Sequence, residues 1–140
     1  MKTLVVAEHD NASLKAATLN AVAAAQAMGG EIDIVVAGAA CDPAATAAAQ
    51  LPGVNKVVCA DNAAYEHQLA ENVSLLIAEL GQGYDNILAA STPNGKNIET
   101  FLHSKTKTQL MDVASPPTKE YFESTGKIPA DKLVEYAKKL

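Results

Sequence analysis

Two short segments concentrate polar side chains, and brought together their hydroxyls, amides, glycine and one lysine could hold a phosphate. Glu8-His9-Asp10-Asn11 brings carboxylates, an imidazole and an amide, and Ser91-Thr92-Pro93-Asn94-Gly95-Lys96-Asn97 brings hydroxyls, amides, a glycine and one lysine. Backbone N–H groups at the start of a helix, with a cation nearby, are a general means of holding an anion. The candidate phosphate-binding residues are therefore Glu8, His9, Ser91, Thr92, Gly95, Lys96 and Asn97. The same residue types also build the caps and turns of any strand-to-helix connection. The sequence leaves both readings open.

Other chemistries find less support. A P-loop needs a glycine five positions before its Gly-Lys pair and a serine or threonine after it, but Ala90 and Asn97 stand in those places. Ser124-Thr125-Gly126-Lys127 fails the same pattern. His9, His67 and His103 are not spaced with Cys, Asp or Glu as a metal site requires, so no metal ligands are assigned. No Gly-x-Ser-x-Gly elbow is present, and Glu8 beside His9 is only adjacency in sequence. No catalytic residue is assigned, and the chain alone is not expected to be an enzyme.

The elements that must position the two segments follow from hydrophobic periodicity. Thr3-Leu4-Val5-Val6-Ala7 reads as a strand, and from Ala12 the residues Leu14, Ala17, Ala21, Ala25 and Met28 recur at helical spacing until Gly29-Gly30. Ile32, Ile34, Val35 and Val36 make a second strand. Asp42 before Pro43 then reads as an N-cap and first helical position, opening a helix to about Gln50. Lys56-Val57-Val58-Cys59-Ala60 is the third strand. Leu69, Val73, Leu76, Ile77 and Leu80 mark the buried stripe of a third helix, ended by Gly81 and Gly83. Asn86-Ile87-Leu88-Ala89-Ala90 is the fourth strand, with Ser91 to Asn97 as the loop after it.

Strands alternating with helices imply right-handed βαβ units and a parallel sheet, hence an α/β fold. In such a sheet the ligand crevice lies at the carboxyl ends of the strands, where the strand order reverses. An order of 3-2-1-4 puts that point between the first and fourth strands and brings the two polar segments together.

Composition bounds the function further. The chain has 140 residues, a net charge of -5, 11 lysines and no arginine, so it offers neither a basic stripe nor a guanidinium fork for nucleic acid. No apolar run approaches the roughly 20 residues needed to cross a bilayer, and no signal or transit peptide is expected before the first strand. The cytosol, or a matrix after earlier processing, is the expected compartment. Cys41 and Cys59 cannot build a disulfide framework, and each is read as a small hydrophobe in an alanine-rich setting.

A boundary is expected near residue 98. Residues 1–98 hold 24 alanines, 4 lysines and 10 acids, whereas residues 99–140 hold 3 alanines, 7 lysines and 6 acids, so composition and charge both change there. In the second part Ser115-Pro116-Pro117 and Gly126 interrupt any regular element. Asp131 to Leu140 then places Leu133, Tyr136, Ala137 and Leu140 on one helical face.

The order of several segments is similar to a known family. Thr3-Leu4-Val5-Val6-Ala7-Glu8-His9-Asp10-Asn11 with its alanine-rich helix, Val35-Val36-Ala37-Gly38, Gly53-Val54-Asn55-Lys56-Val57, Leu69-Ala70-Glu71-Asn72, Tyr84 to Thr92 and Gly95-Lys96-Asn97 resemble the amino-terminal domain of the electron transfer flavoprotein alpha subunit. The resemblance covers about 70 per cent of the chain and stops near Ile98. It implies a Rossmann-like, three-layer α/β/α domain of the adenine nucleotide alpha hydrolase-like kind, acting as a scaffold that packs on a beta subunit.

In that family FAD sits in the alpha subunit's second domain and carries electrons from dehydrogenases to a quinone oxidoreductase, while the bound AMP belongs to the beta subunit. The family's FAD-binding residues have no positions to map onto here. The resemblance therefore implies no cofactor in this chain alone and FAD only in the complete complex.

Two other readings stand beside it. One is a small adenine-nucleotide-binding module that uses the loops after the first and fourth strands. The other is a structural subunit of a larger assembly, docked through the tail with Tyr121, Phe122, Leu133 and Tyr136 as anchors. Against docking stands the simpler possibility that residues 99–140 complete the domain's own core.

Overall fold

The computed structural model describes residues 1–103, 105 and 109–113. The order of elements is β1 (Lys2–Val6), α1 (Ala16–Met28), β2 (Glu31–Gly38), α2 (Asp42–Ala49), β3 (Lys56–Asp61), α3 (Ala70–Leu80), β4 (Asn86–Ala90), α4 (Pro93–Leu102) and β5 (Gln109–Val113). The strands form one sheet in the order β3-β2-β1-β4-β5. Every pairing is parallel, and β1 lies between β2 and β4 in the registers Val5↔Ile34 and Val5↔Leu88. The expected α/β fold and the 3-2-1-4 order are both present, extended by β5.

Alternation along the strands sorts the core into two layers. Val5, Ile32, Ile34, Val36 and Leu88 face α1 and α2, while Leu4, Val6, Val35, Ala37, Ile87 and Ala89 face α3 and α4. Successive side chains of a strand point to opposite faces, so a strand covered on both faces reads as an unbroken apolar run. That is the pattern of Ile34-Val35-Val36-Ala37. The buried face of α1 is largely alanine, with Ala21, Ala24, Ala25 and Ala27 all in contact with the core.

Several element boundaries differ from the sequence reading. Helix α1 begins at Ala16 rather than Ala12 because the Asp10 carboxylate accepts from the Ala12 and Ser13 amides at 3.0 and 2.7 Å. This local turn competes with helix. Leu14 instead bridges His9. Cys41, not Asp42, holds the N-cap position of α2, and it makes no side-chain cap bond. Leu69 is the N-cap of α3 and 57% exposed, so it does not belong to the buried stripe that Val73 and Ile77 carry.

The largest difference is α4. Ser91 to Asn97 was expected to be a loop, yet Pro93 opens a ten-residue helix whose buried side comprises Gly95, Ile98, Glu99 and Leu102. Asn94, Gly95 and Asn97 are poor helix formers. The Thr92 cap, proline at the first position and the burial of Ile98 and Leu102 outweigh them. Helix α4 also runs through residue 98 without a break, and β5 adds Leu110 to the same core as Ile98 and Leu102. The expected helix over Asp131–Leu140 and the anchors Tyr121, Phe122, Leu133 and Tyr136 lie outside the described residues.

Candidate functional site

A cleft of about 600 Å³ opens at the carboxyl ends of β1 and β4, where the strand order reverses. Its walls are Glu8 and His9 after β1, Lys15 and Ala17 at the start of α1, Glu66, His67 and Gln68 before α3, and Thr92, Pro93 and Asn94 at the start of α4. The structure thus joins the two polar segments as expected.

Glu8 is the hub. Its amide donates to Thr18 Oγ1 at 2.9 Å, the Thr18 hydroxyl donates back to the Glu8 carbonyl at 2.9 Å, and that carbonyl also accepts from the Lys15 amide at 2.9 Å. The buried Glu8 carboxylate accepts from the Thr92 hydroxyl through Oε1. Thr92 Oγ1 in turn accepts from the Gly95 amide at 3.1 Å, capping α4. The starts of α1 and α4 converge on this cleft, and a helix start favours negative charge. Here the negative charge is the protein's own, supplied by Glu8.

His9 is equally committed. It is buried, and its Nε2–H donates to the Ala37 carbonyl at 2.9 Å while Nδ1 accepts from the Asn11 amide at 3.0 Å. An N–H donor facing Nδ1 fixes the neutral tautomer, so this imidazole is not free to act as a base. Asn11 adopts φ 73°, and its side chain ties the loop to neighbouring backbone, accepting from the Ala39 amide at 3.0 Å. Gly38 makes room for this arrangement, since a Cβ there would overlap Asn11 Oδ1 and lie 2.8 Å from His9 Cε1.

This geometry gives His9 a readable pH signature. Burial, the largest influence, pulls its pKa below 6.5; Lys15 acts in the same direction, while the Ala37 bond and Asp10 oppose it. Below about pH 6.5 the unfolded chain then binds a proton that the folded chain does not, so stability falls as pH drops through that window. The slope reaches at most about 1.4 kcal/mol per pH unit. Urea midpoints taken from about pH 7 down to about pH 5 should fall for the wild type, and His9→Gln should flatten the curve. Wild-type midpoints that stay level or rise over that interval would contradict this account.

The other expected phosphate ligands are placed differently. Gly95 is buried against β4, and Lys96 and Asn97 are exposed on α4, outside the cleft lining. Ser91 is half-buried and also outside that lining. Sequence reasoning missed Glu66, His67 and Gln68 because the 62–68 segment has no periodicity to place it, with Gln68 entering the cleft through a φ of 52°, and it missed Lys15 because the first helix was read from Ala12, which hid Lys15 as the residue before α1. Among the described residues no group of His, Cys, Asp and Glu is arranged to hold a metal ion, and no helix is long and apolar enough to cross a membrane.

Comparison with known proteins supplies what the cleft does not. The model of the electron transfer flavoprotein domain matches residues 3–114. The chain belongs to this family. It is 52% identical over 122 residues to the electron transfer flavoprotein subunit alpha of Pseudomonas aeruginosa, a match covering 84% of this chain and 40% of that protein. The Bradyrhizobium diazoefficiens subunit alpha is 44% identical over 124 residues, covering 86% of this chain and 40% of that protein. The mitochondrial subunit alpha of Dictyostelium discoideum is 38% identical over 102 residues, covering 67% of this chain and 29% of that protein.

The chain thus spans about 40% of the length of the bacterial relatives it matches. The electron transfer flavoprotein match also runs beyond Ile98 to residue 114, over the rest of α4 and all of β5. At the β1/β4 crevice the Thr92 hydroxyl donates to the Glu8 carboxylate and accepts from the Gly95 amide, so that amide is already bonded within the protein.

Proposed function

We propose that this chain is an electron transfer flavoprotein alpha-type scaffold domain that buries one face against a beta-type subunit. Its redox chemistry would depend on FAD held elsewhere in the complete complex. The observation that carries this reading is the 52% identity to a subunit alpha across 84% of the chain. The cleft supports it in part, because the Thr92 hydroxyl and the Gly95 amide at the start of α4 are bonded within the protein, through Glu8 and the helix cap. Flavin supplies two-electron chemistry that no protein side chain offers. Relatives from bacteria and from mitochondria fit a bacterial cytoplasm or a mitochondrial matrix.

The test is the visible spectrum and native mass of the chain, purified alone and after co-expression with an electron transfer flavoprotein beta subunit. A colourless chain that forms a stable heterodimer is the expected result. Stoichiometric flavin on the chain alone, or a monomer indifferent to the beta subunit, overturns the reading.

A second reading, an adenine-nucleotide module, draws on the position of the cleft at the strand-order reversal. It requires purified protein to release an adenine nucleotide on denaturation.

A further inference from the structure

The chain's two cysteines, 18 positions apart, meet in the fold. Cys41 sits in the turn between β2 and α2, Cys59 lies on the edge strand β3, and their sulfurs are 3.5 Å apart. Both are free thiols; Cys41 is fully buried, whereas Cys59 is exposed. A disulfide needs the sulfurs only about 1.5 Å closer. The turn that holds Cys41 is itself pinned to the same strand, since the Ala40 amide donates to Asp61 Oδ1 at 2.9 Å. Distance, the pinned turn and unequal access therefore all suit a pair in which one thiol meets solvent and the other waits behind it.

We propose that Cys41 and Cys59 form a reversible intramolecular disulfide, with a low-molecular-weight disulfide as oxidant. Cys59 loses its proton and attacks one sulfur of the small disulfide; that bond breaks, one small thiolate leaves, and a mixed disulfide remains on Cys59. Cys41 then loses its proton and attacks the Cys59 sulfur, forming the protein disulfide and expelling the second small thiolate. The protein loses two electrons and two protons, and the small disulfide gains them as two thiols. Where small thiols dominate, the reverse exchange keeps the pair reduced. The closed form ties the start of α2 to edge strand β3.

The surroundings set the speed. Desolvation, the Cys41 thiol and the charges of Asp42 on α2 and Asp61 on β3 push the Cys59 thiol up to about 12. The thiolate is the attacking species, so closure is slow at neutral pH and rises about tenfold per pH unit.

The test treats the folded full chain with oxidised glutathione at about pH 8.5, followed by intact mass, thiol titration and peptide mapping. The expected product is a monomer lacking two hydrogens, with both thiols lost and the Cys41 and Cys59 peptides joined, while Cys41→Ser stops at one glutathione adduct on Cys59. A wild type that retains the adduct, stays unmodified or links into dimers overturns the proposal. Should the serine variant fail to fold, the wild-type peptide map alone decides.

Discussion

Replacing Gly95 by alanine is expected to destabilise the domain by about 3 kcal/mol, although helix propensity by itself favours alanine by about 1 kcal/mol. Gly95 lies in the first turn of α4 and presses on the end of β4. A Cβ there would overlap the Ala90 carbonyl oxygen, lie 3.1 Å from the Ala90 carbonyl carbon and crowd Thr92 Oγ1 at 3.3 Å. The obstacle is backbone, which cannot rotate aside, so α4 must lift from the sheet. Lifting breaks the Thr92–Gly95 cap and draws the Thr92 hydroxyl away from the Glu8 carboxylate. The overlap therefore outweighs the propensity gain, and the sign of the effect tells the two apart. Urea unfolding of Gly95→Ala should show a lower midpoint at unchanged slope; an unchanged or raised midpoint would sink the argument.

The same glycine shows where sequence reasoning ran out. Strands such as Asn86–Ala90 and helix stops such as Gly29-Gly30 are local signals, and the structure places them as read. Gly95, Lys96 and Asn97 were read as a phosphate loop because their types suit one. What decides otherwise is the approach of α4 to Ala90 and the capture of Thr92 by Glu8, 84 positions away. Thr92-Pro93 carried the signal of a helix start, the same signal read at Asp42-Pro43, but three poor helix formers beside it masked that reading. The convergence of Glu8 and Thr92 followed from topology alone. That His9 would be locked between Ala37 and Asn11 did not, since it depends on Asn11 turning to positive φ.

Asp33→Ala is expected to cost about 3 kcal/mol, a loss out of proportion to the size of the side chain removed. Asp33 interrupts the apolar run of β2, and its side chain is 0% exposed. It accepts from the Tyr84 hydroxyl at 2.6 Å and from Asn55 Nδ2 at 3.2 Å, with Lys56 Nζ at 3.9 Å. Lys56 is more than half exposed, so its attraction is screened and contributes little.

The weight falls on Tyr84, whose hydroxyl is held protonated by desolvation first and then by the Asp33 hydrogen bond and charge. Removing one partner leaves the other's desolvation uncompensated, while removing both together costs less than the sum. Urea unfolding of Asp33→Ala, Tyr84→Phe and the double variant should therefore show a coupling of at least about 1 kcal/mol. Strict additivity would mean that Asp33 is held by its other neighbours and that the junction between β2 and the start of β4 does not depend on this bond.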